Sequence, residues 1–323
     1  MNKYMNEKET YFKEVSEGFL KSHQDVLSLT GDLKQIVRRR SPEKKEVAVI
    51  GLGDGGHLPC FAGYVQEGML HGSVSGEVFQ APSHSDILEV IRHTEMGKGC
   101  ILIPLLWNEE TEQELNIALE EAKKLGIDVS AAYIRDDCMQ PRNDPEKRSG
   151  HAGVYYACKI AGSAAAEGKS KEEIFDILRR VNENIRTAGN YDTFFRLPQE
   201  EKVFREIPED MTQVGVGLHG EEGFETVPFP SAYLVSEHLF RHRLNKELQM
   251  KEGEEVALMV NDLGSCSLDE LYILTKEICT QFENKGVIVS DLKIGRYVTT
   301  LDSDAMSLTA LRLDEELKRL LKE

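Results

Sequence analysis

The sequence predicts an α/β protein with two domains: a three-layer α/β/α N-terminal domain and a smaller two-layer α/β C-terminal domain. The chain has 323 residues, more than one hydrophobic core usually serves. Apolar runs of strand length alternate with amphipathic segments of helical period along the chain. Prolines and charged residues concentrate between positions 189 and 210, so we place the domains at residues 1–190 and 191–323.

The N-terminal part begins with a helical lead-in over residues 1 to about 45, ended by Ser41-Pro42. A βαβ pattern follows, with predicted strands at Val47 to Ile50, Gly99 to Leu106 and Val129 to Ile134, and a helix at Gln113 to Leu125. A later helix starts at the capping box Ser170-x-x-Glu173 and keeps its apolar period until Gly189.

The C-terminal part repeats this alternation. The predicted elements are a short strand that delivers His219, a helix at Ser231 to Leu248, a strand at Glu255 to Val260, a helix from the capping box Ser267-x-x-Glu270 to Gly286, and strands at Val287 to Ile294 and Leu308 to Leu313.

The charge of the chain excludes some partners. Its formal net charge is −17, from 39 basic and 56 acidic residues, and such a field repels phosphate backbones. We therefore expect no direct nucleic-acid binding. No apolar run is long enough to span a bilayer, and the first eight residues lack the apolar core of a signal peptide, so a cytoplasmic protein without membrane contact is expected.

No cofactor or metal motif stands out in the sequence. The stretch Gly51-Leu52-Gly53-Asp54-Gly55-Gly56 follows a strand, where α/β sheets place ligands, but its glycine spacing is not the dinucleotide fingerprint and no P-loop lysine follows. The cysteines form no C-x-x-C pair, and the histidines show no ligand spacing on a helix. We expect neither a cofactor nor a metal.

The stretch from Val214 to Gly223 delivers one histidine, His219, into a turn flanked by Gly217 and Gly220. Glycines on both sides let a backbone or ligand approach the imidazole closely. The pattern predicts a short strand that ends at an exposed site and presents His219 as a reactive group. A solvated histidine in an ordinary turn is the alternative.

Several segments, in order, resemble the substrate-binding subunit of dihydroxyacetone kinases, the DhaK family. The matching stretches include Gly55-Gly56-His57-Leu58-Pro59, Gly76-Glu77-Val78-Phe79, Gly217-Leu218-His219-Gly220-Glu221, Val260-Asn261-Asp262-Leu263-Gly264 and Ile294-Gly295-Arg296. The resemblance runs from about Val47 to the C-terminus. It implies a fold of the DAK1/DegV type and a homodimer.

The resemblance also implies a chemistry. Family members capture dihydroxyacetone on the histidine equivalent to His219 as a hemiaminal, and a neutral imidazole is nucleophilic near pH 7 because its reference pKa is about 6.5. His57 stands at the position of the family's general base. Gly53 and Gly56 would let main-chain groups bind the ligand hydroxyls.

Departures from the kinase pattern indicate which role within the family this chain has. Kinases read Gly-Gly-Gly-Ser-Gly-His-Glu-Pro where this chain has Gly51 to Pro59, and Ala81 replaces a ligand-binding serine. Where kinases read Lys-Asn-Tyr-Thr-Gly-Asp, this chain reads Leu105-Leu106-Trp107-Asn108-Glu109-Glu110. Glu110 or Gln113 is the counterpart of the family aspartate that assists the reacting hydroxyl.

A chain that keeps capture and loses the transfer groups resembles DhaQ, a paralogue group that binds dihydroxyacetone and works with a TetR-like DNA-binding protein as a coactivator. The rival interpretation is an active kinase subunit whose acid has moved to Glu110 or Glu112 and which depends on a partner for the phosphoryl donor. A third is a binder of apolar carboxylates with the same fold, for which a nucleophilic His219 would have no use.

Overall fold

The computed structural model describes residues 4–24, 27–30, 35–38, 45–106, 108–139, 147–191, 195–196, 203–205, 207–208, 210–221, 223–301 and 303–322. The helices are α1 Tyr11–His23, α2 His84–Thr94, α3 Glu109–Lys124, α4 Val154–Ala166, α5 Lys171–Asn184, α6 Ala232–Glu237, α7 Asn245–Leu248, α8 Leu268–Lys285 and α9 Glu315–Lys322. A π-helical segment, His238–Leu244, joins α6 to α7.

The strands are β1 Leu27–Thr30, β2 Gln35–Arg38, β3 Ala48–Gly55, β4 Gly72–Val78, β5 Cys100–Pro104, β6 Val129–Ala131, β7 Ile185–Tyr191, β8 Phe195–Arg196, β9 Val203–Arg205, β10 Met211–Val214, β11 Glu225–Pro228, β12 Glu255–Asp262, β13 Ile288–Gly295 and β14 Ala305–Arg312.

The first six strands form one sheet in the order β1-β2-β4-β3-β5-β6. Strands β4, β3, β5 and β6 are parallel, and the antiparallel hairpin of β1 and β2 extends the edge beside β4. Because successive side chains of a strand point to opposite faces, Ala48, Ile50 and Leu52 pack against α2 and α3, whereas Val49 packs toward α4. The carboxyl end of β3 carries the glycine-rich stretch.

The second sheet has the order β11-β10-β7-β14-β12-β13. Its neighbours are antiparallel except β12 and β13, which are parallel and connected through α8. Such a connection needs a crossover, and α8 begins at the capping box of Ser267 and ends at Gly286 in the left-handed conformation, as the sequence predicts.

The helices α4, α5 and α9 lie between the two sheets. Ala257, Met259 and Leu311 of the second sheet join the same buried cluster as Val49 of the first. The opposite face of the second sheet, with Leu258 among its residues, packs against α6, α8 and the π-helical segment. Both sheets are therefore covered on their two faces, and the predicted α/β fold is confirmed.

Two local expectations are wrong. Within the described part of the N-terminal lead-in, helical structure consists of the 3₁₀ turn Lys8–Thr10 and α1. Residues 27–30 and 35–38 instead form the antiparallel strand pair that completes the first sheet; Ser41-Pro42 lies outside the described residues. Helix α5 ends at Asn184 rather than continuing to Gly189, because Ile185 starts β7, which pairs with β14 in the second sheet. The domain division at residue 190 stays a prediction.

Within the described ranges, no helix combines the length and apolar character needed to cross a membrane.

Candidate functional site

A cluster of polar side chains lies where the two sheets approach each other. Asp54 is near the end of β3, His57 follows that strand by two residues, and His219 sits in the turn after β10. The Nε2 atoms of His57 and His219 are 3.1 Å apart, although 162 residues separate them in sequence. Asp54 lies beside both rings, with Oδ2 3.4 Å from His57 Nε2 and 3.1 Å from His219 Nε2.

The orientation of His57 follows from its surroundings. Its Nδ1 is 2.6 Å from the carbonyl oxygen of Thr299, and since a carbonyl only accepts, Nδ1 carries the proton. In the tautomer with its single ring proton on Nδ1, the Nε2 lone pair of His57 points at His219. Phe79 stacks on His57 with ring centroids 5.3 Å apart. Gly56 permits this stacking because it has φ +99° and a Cβ there would lie 2.9 Å from the Phe79 ring.

Glu221 holds His219 from the other side. Its carboxylate accepts the backbone N–H of His219 at 2.9 Å, and its second oxygen is 3.7 Å from Nδ1. Gly217 leaves room for the carboxylate in this position, since a Cβ there would lie 2.2 Å from a Glu221 oxygen and would displace it. The imidazole of His219 thus lies between two carboxylates.

These carboxylates set the charge of the site. Burial alone would lower the pKa of His219, but Asp54 and then Glu221 outweigh it and raise this pKa to about 9. Burial alone would raise the pKa of Asp54, yet His219 and His57 hold it well below its usual range. For Glu221, interactions with His219 likewise overcome burial and lower the pKa to about 2. Near pH 7 the site holds a cationic His219 between two anions.

The structure brings His219 and His57 together but corrects two details. His219 was expected to be exposed at the end of a strand; that expectation is wrong, because β10 ends at Val214 and the imidazole is 2 % exposed. The expectation of a neutral imidazole at pH 7 is also wrong for the ligand-free site, since the reference pKa ignores the nearby carboxylates of Asp54 and Glu221.

The predicted glycines occupy the same strand end. Gly53 directly precedes Asp54, and the Phe61 ring and Leu105 pack over it, 3.2 and 3.5 Å from where a Cβ would lie. Gly56 makes room for Phe79, as described above. Packing against neighbouring side chains is enough to explain a glycine at both positions. Their contact with ligand hydroxyls stays a prediction.

Glu110 is not brought to the histidines. It lies exposed in the first turn of α3, as do Glu112 and Gln113 in the same helix, and no described hydrogen bond or ion pair connects Glu110 to His57 or His219. Leu105 is buried at the end of β5, and Trp107 lies outside the described residues.

The carboxylate that reaches both histidines is Asp54, which sequence reasoning missed. Counted back from His57, it stands where the kinase pattern has a glycine, so the departure within Gly51 to Pro59 was the available signal. Asp54, His57 and His219 are also the described residues whose donor atoms lie close enough, within 4.8 Å of one another, to hold a metal ion.

A third histidine, His151, is buried close to this cluster and is held neutral. Its Nδ1 accepts the N–H of Ala152 at 2.7 Å, so the ring proton is on Nε2, which has no hydrogen-bond partner among the described residues. Burial, opposed by Glu221 and aided by His219, lowers the pKa of His151 to about 3.

Comparison with known proteins identifies the family. The model of the Dak1 domain matches residues 17–323. The chain belongs to the Dak1 domain family. It is 29 % identical to the dihydroxyacetone-binding subunit DhaK of a PTS-dependent dihydroxyacetone kinase from Listeria innocua, over 98 % of this chain and 95 % of the relative.

Within the Dak1 family the chain also resembles coactivators. It is 33 % identical to the DhaKLM operon coactivator DhaQ of Lactococcus lactis, over 82 % of this chain and 81 % of the relative. A solved dihydroxyacetone kinase operon co-activator superposes with a TM-score of 0.88 at 29 % identity, covering 95 % of this chain and 94 % of that structure. A DegV family protein from Thermus thermophilus, at 11 % identity and a TM-score of 0.52, shares the fold alone. The expected DhaK-like family with resemblance to DhaQ is confirmed.

Proposed function

We propose that the protein binds dihydroxyacetone covalently on His219 and acts as a coactivator that signals to a TetR-like transcription regulator. The observation that carries the first part is the buried Nε2 of His219, which faces His57 and Asp54 at 3.1 Å. Membership of the Dak1 family and the likeness to DhaQ support the choice of ligand and role.

The geometry supports each step of hemiaminal formation. The Nε2 proton of His219 passes to Asp54 or to the lone pair of His57 Nε2, both within hydrogen-bonding range. The freed lone pair bonds to the ketone carbon, the π electrons of the carbonyl move onto its oxygen, and the same proton is delivered to that oxygen. The ring keeps its Nδ1 proton and its positive charge, which Asp54 and Glu221 stabilise. Glycerol has the same terminal hydroxyls but no electrophilic carbon.

The residues that follow β5 favour a coactivator role over a kinase role. Leu105 stands where kinases have a lysine, and Glu110, the expected replacement for the family aspartate, is exposed on α3. Loss of a positioned acid–base group typically lowers a rate by about 10²–10⁴-fold.

Calorimetry tests the capture step. Wild type, His219→Gln and His93→Gln, whose side chain is 45 % exposed on α2, are titrated with dihydroxyacetone and with glycerol. We expect wild type and His93→Gln to bind the ketone and not glycerol, and His219→Gln to lose ketone binding. Structures of ketone-soaked crystals then show the C–N bond. Unchanged ketone affinity in His219→Gln would refute covalent capture on His219.

A turnover assay separates coactivator from kinase. Supplied with the phosphotransfer subunits of a working dihydroxyacetone kinase, the protein should form phosphate ester at least ~10²-fold more slowly than a true kinase subunit. A kinase-like rate would contradict the coactivator role. If Asp54→Asn then abolished that rate, the acid–base role would belong to Asp54.

The remaining parts of the proposal are a cytoplasmic location and a homodimer that contacts the regulator. Sedimentation of the protein alone tests the dimer, and sedimentation with a TetR-like regulator tests the contact. We expect the complex to form only with ketone present. A complex that forms equally well with and without the ketone would contradict the proposal that the ligand controls signalling.

A further inference from the structure

We propose that Asp54, His57 and His219 form a binding site for one divalent transition-metal ion, with Zn²⁺ as the best match. The three side chains are buried, with 0 %, 1 % and 2 % exposure. Their donor atoms converge: the two Nε2 atoms are 3.1 Å apart, and Asp54 Oδ2 is 3.1 and 3.4 Å from them. This inference does not depend on ketone capture.

The separations match a tetrahedral ion. Zinc binds imidazole nitrogen and carboxylate oxygen at about 2.0–2.1 Å, and two ligands of a tetrahedron with such bonds lie about 3.3 Å apart. The three measured separations bracket that value. A single ion can therefore replace the shared proton with little movement of the side chains.

The surroundings orient the donors as metal sites require. His57 donates Nδ1–H to the Thr299 carbonyl, which leaves its Nε2 lone pair free for an ion. Glu221 lies beside Nδ1 of His219, in the place of the carboxylate that usually supports a ligating histidine. Asp54 Oδ2 is buried, and the two imidazole Nε2 atoms lie 3.4 and 3.1 Å from it, so an ion held among the three side chains would bind this oxygen directly.

The donor set selects the class of ion. Two imidazoles and one carboxylate suit Zn²⁺, Co²⁺ or Ni²⁺, whereas Mg²⁺ and Ca²⁺ prefer oxygen ligands throughout. Three protein ligands leave a fourth position for water or another small ligand, the arrangement of exchangeable zinc sites. The ion and a covalently bound ketone both need the lone pair of His219 Nε2, so they exclude each other.

Metal titration tests the site without any ketone. Chelator-treated protein is titrated with Zn²⁺ by calorimetry and with Co²⁺ by visible absorption. We expect one ion per chain and the spectrum of tetrahedral cobalt with nitrogen and oxygen ligands. His57→Gln and His219→Gln should weaken binding at least ~100-fold, and Glu221→Gln, which removes only an orienting group, about 10-fold.

The matched control is His93→Gln, on the exposed face of α2, which should bind as wild type does. Circular dichroism tests whether each variant is folded. If a histidine variant does not fold, the cobalt spectrum of the wild type and the zinc affinity of Glu221→Gln test the proposal instead. Absence of stoichiometric binding, a thiolate charge-transfer band, or an affinity that falls in His93→Gln but not in Glu221→Gln would overturn the proposal.

Discussion

Acid should destabilise this protein through His151 between about pH 7 and pH 5, where carboxylates contribute little. The imidazole is buried, its Nδ1 is occupied by the Ala152 N–H, and Asp136 accepts its backbone N–H. Glu221, His57 and His219 are the charged and titratable side chains that influence it. Burial lowers the pKa of His151 from 6.5 to about 3 in the folded chain.

The sign follows from proton counting. Between pH 6.5 and 3 the unfolded chain binds a proton at this histidine and the folded chain does not, so the free energy of unfolding falls as the pH falls. At pH 5 the gap from 6.5 is about 1.5 pH units, and at about 1.36 kcal/mol per unit the loss is about 2 kcal/mol. The loss is complete only below the folded pKa of about 3.

Urea denaturation at pH 7 and pH 5 measures this, with His151→Asn as the variant and His93→Asn as the control. Asparagine at position 151 can still accept the Ala152 N–H but does not titrate. Contributions from other groups, including the raised pKa of His219, are common to the proteins and cancel in the difference. We expect wild type and His93→Asn to lose about 2 kcal/mol more than His151→Asn between the two pH values. Equal losses in all three would refute the reasoning.

Three further predictions concern stability measured by urea denaturation. Gly162→Ala in α4 should cost about 3 kcal/mol, because its Cβ would lie 2.1 Å from the backbone oxygen of Met69. Gly18→Ala in α1, where no described atom lies within 4 Å of the new Cβ, should instead stabilise by about 0.5–1 kcal/mol. Similar effects of the two substitutions would contradict the packing. Ser267→Ala should cost about 1 kcal/mol by removing the capping box of α8, and no change would mean that the cap contributes nothing. Arg148→Met should cost about 1–3 kcal/mol, because it leaves the carboxylate of Glu247 without its bidentate partner. A double-mutant cycle with Glu247→Gln that showed no coupling energy would mean that this ion pair does not contribute to stability.

Local signals in the sequence were enough for most of the secondary structure. The capping boxes at Ser170 and Ser267 predicted where α5 and α8 begin, because the serine side chain and the glutamate three residues later satisfy backbone N–H groups within one turn. Gly286 predicted where α8 ends for an equally local reason. The hairpin of β1 and β2 escaped prediction, since β2 is specified by its pairing with β4 and β1 by its pairing with β2.

The motifs around His57 and His219 were enough to select both histidines, since their residue types can be read from the chain directly. Only the contact between β3 of the first sheet and the turn after β10 of the second buries these histidines. The same contact sets their Nε2 atoms 3.1 Å apart and places Asp54 beside both rings. That contact also decides the charge of His219, because a pKa responds to carboxylates a few ångströms away in space, however far apart they are in sequence. For the same reason Glu110, chosen by alignment with a motif, lies on an exposed helix turn, while Asp54, in a position where a glycine was expected, faces both imidazoles.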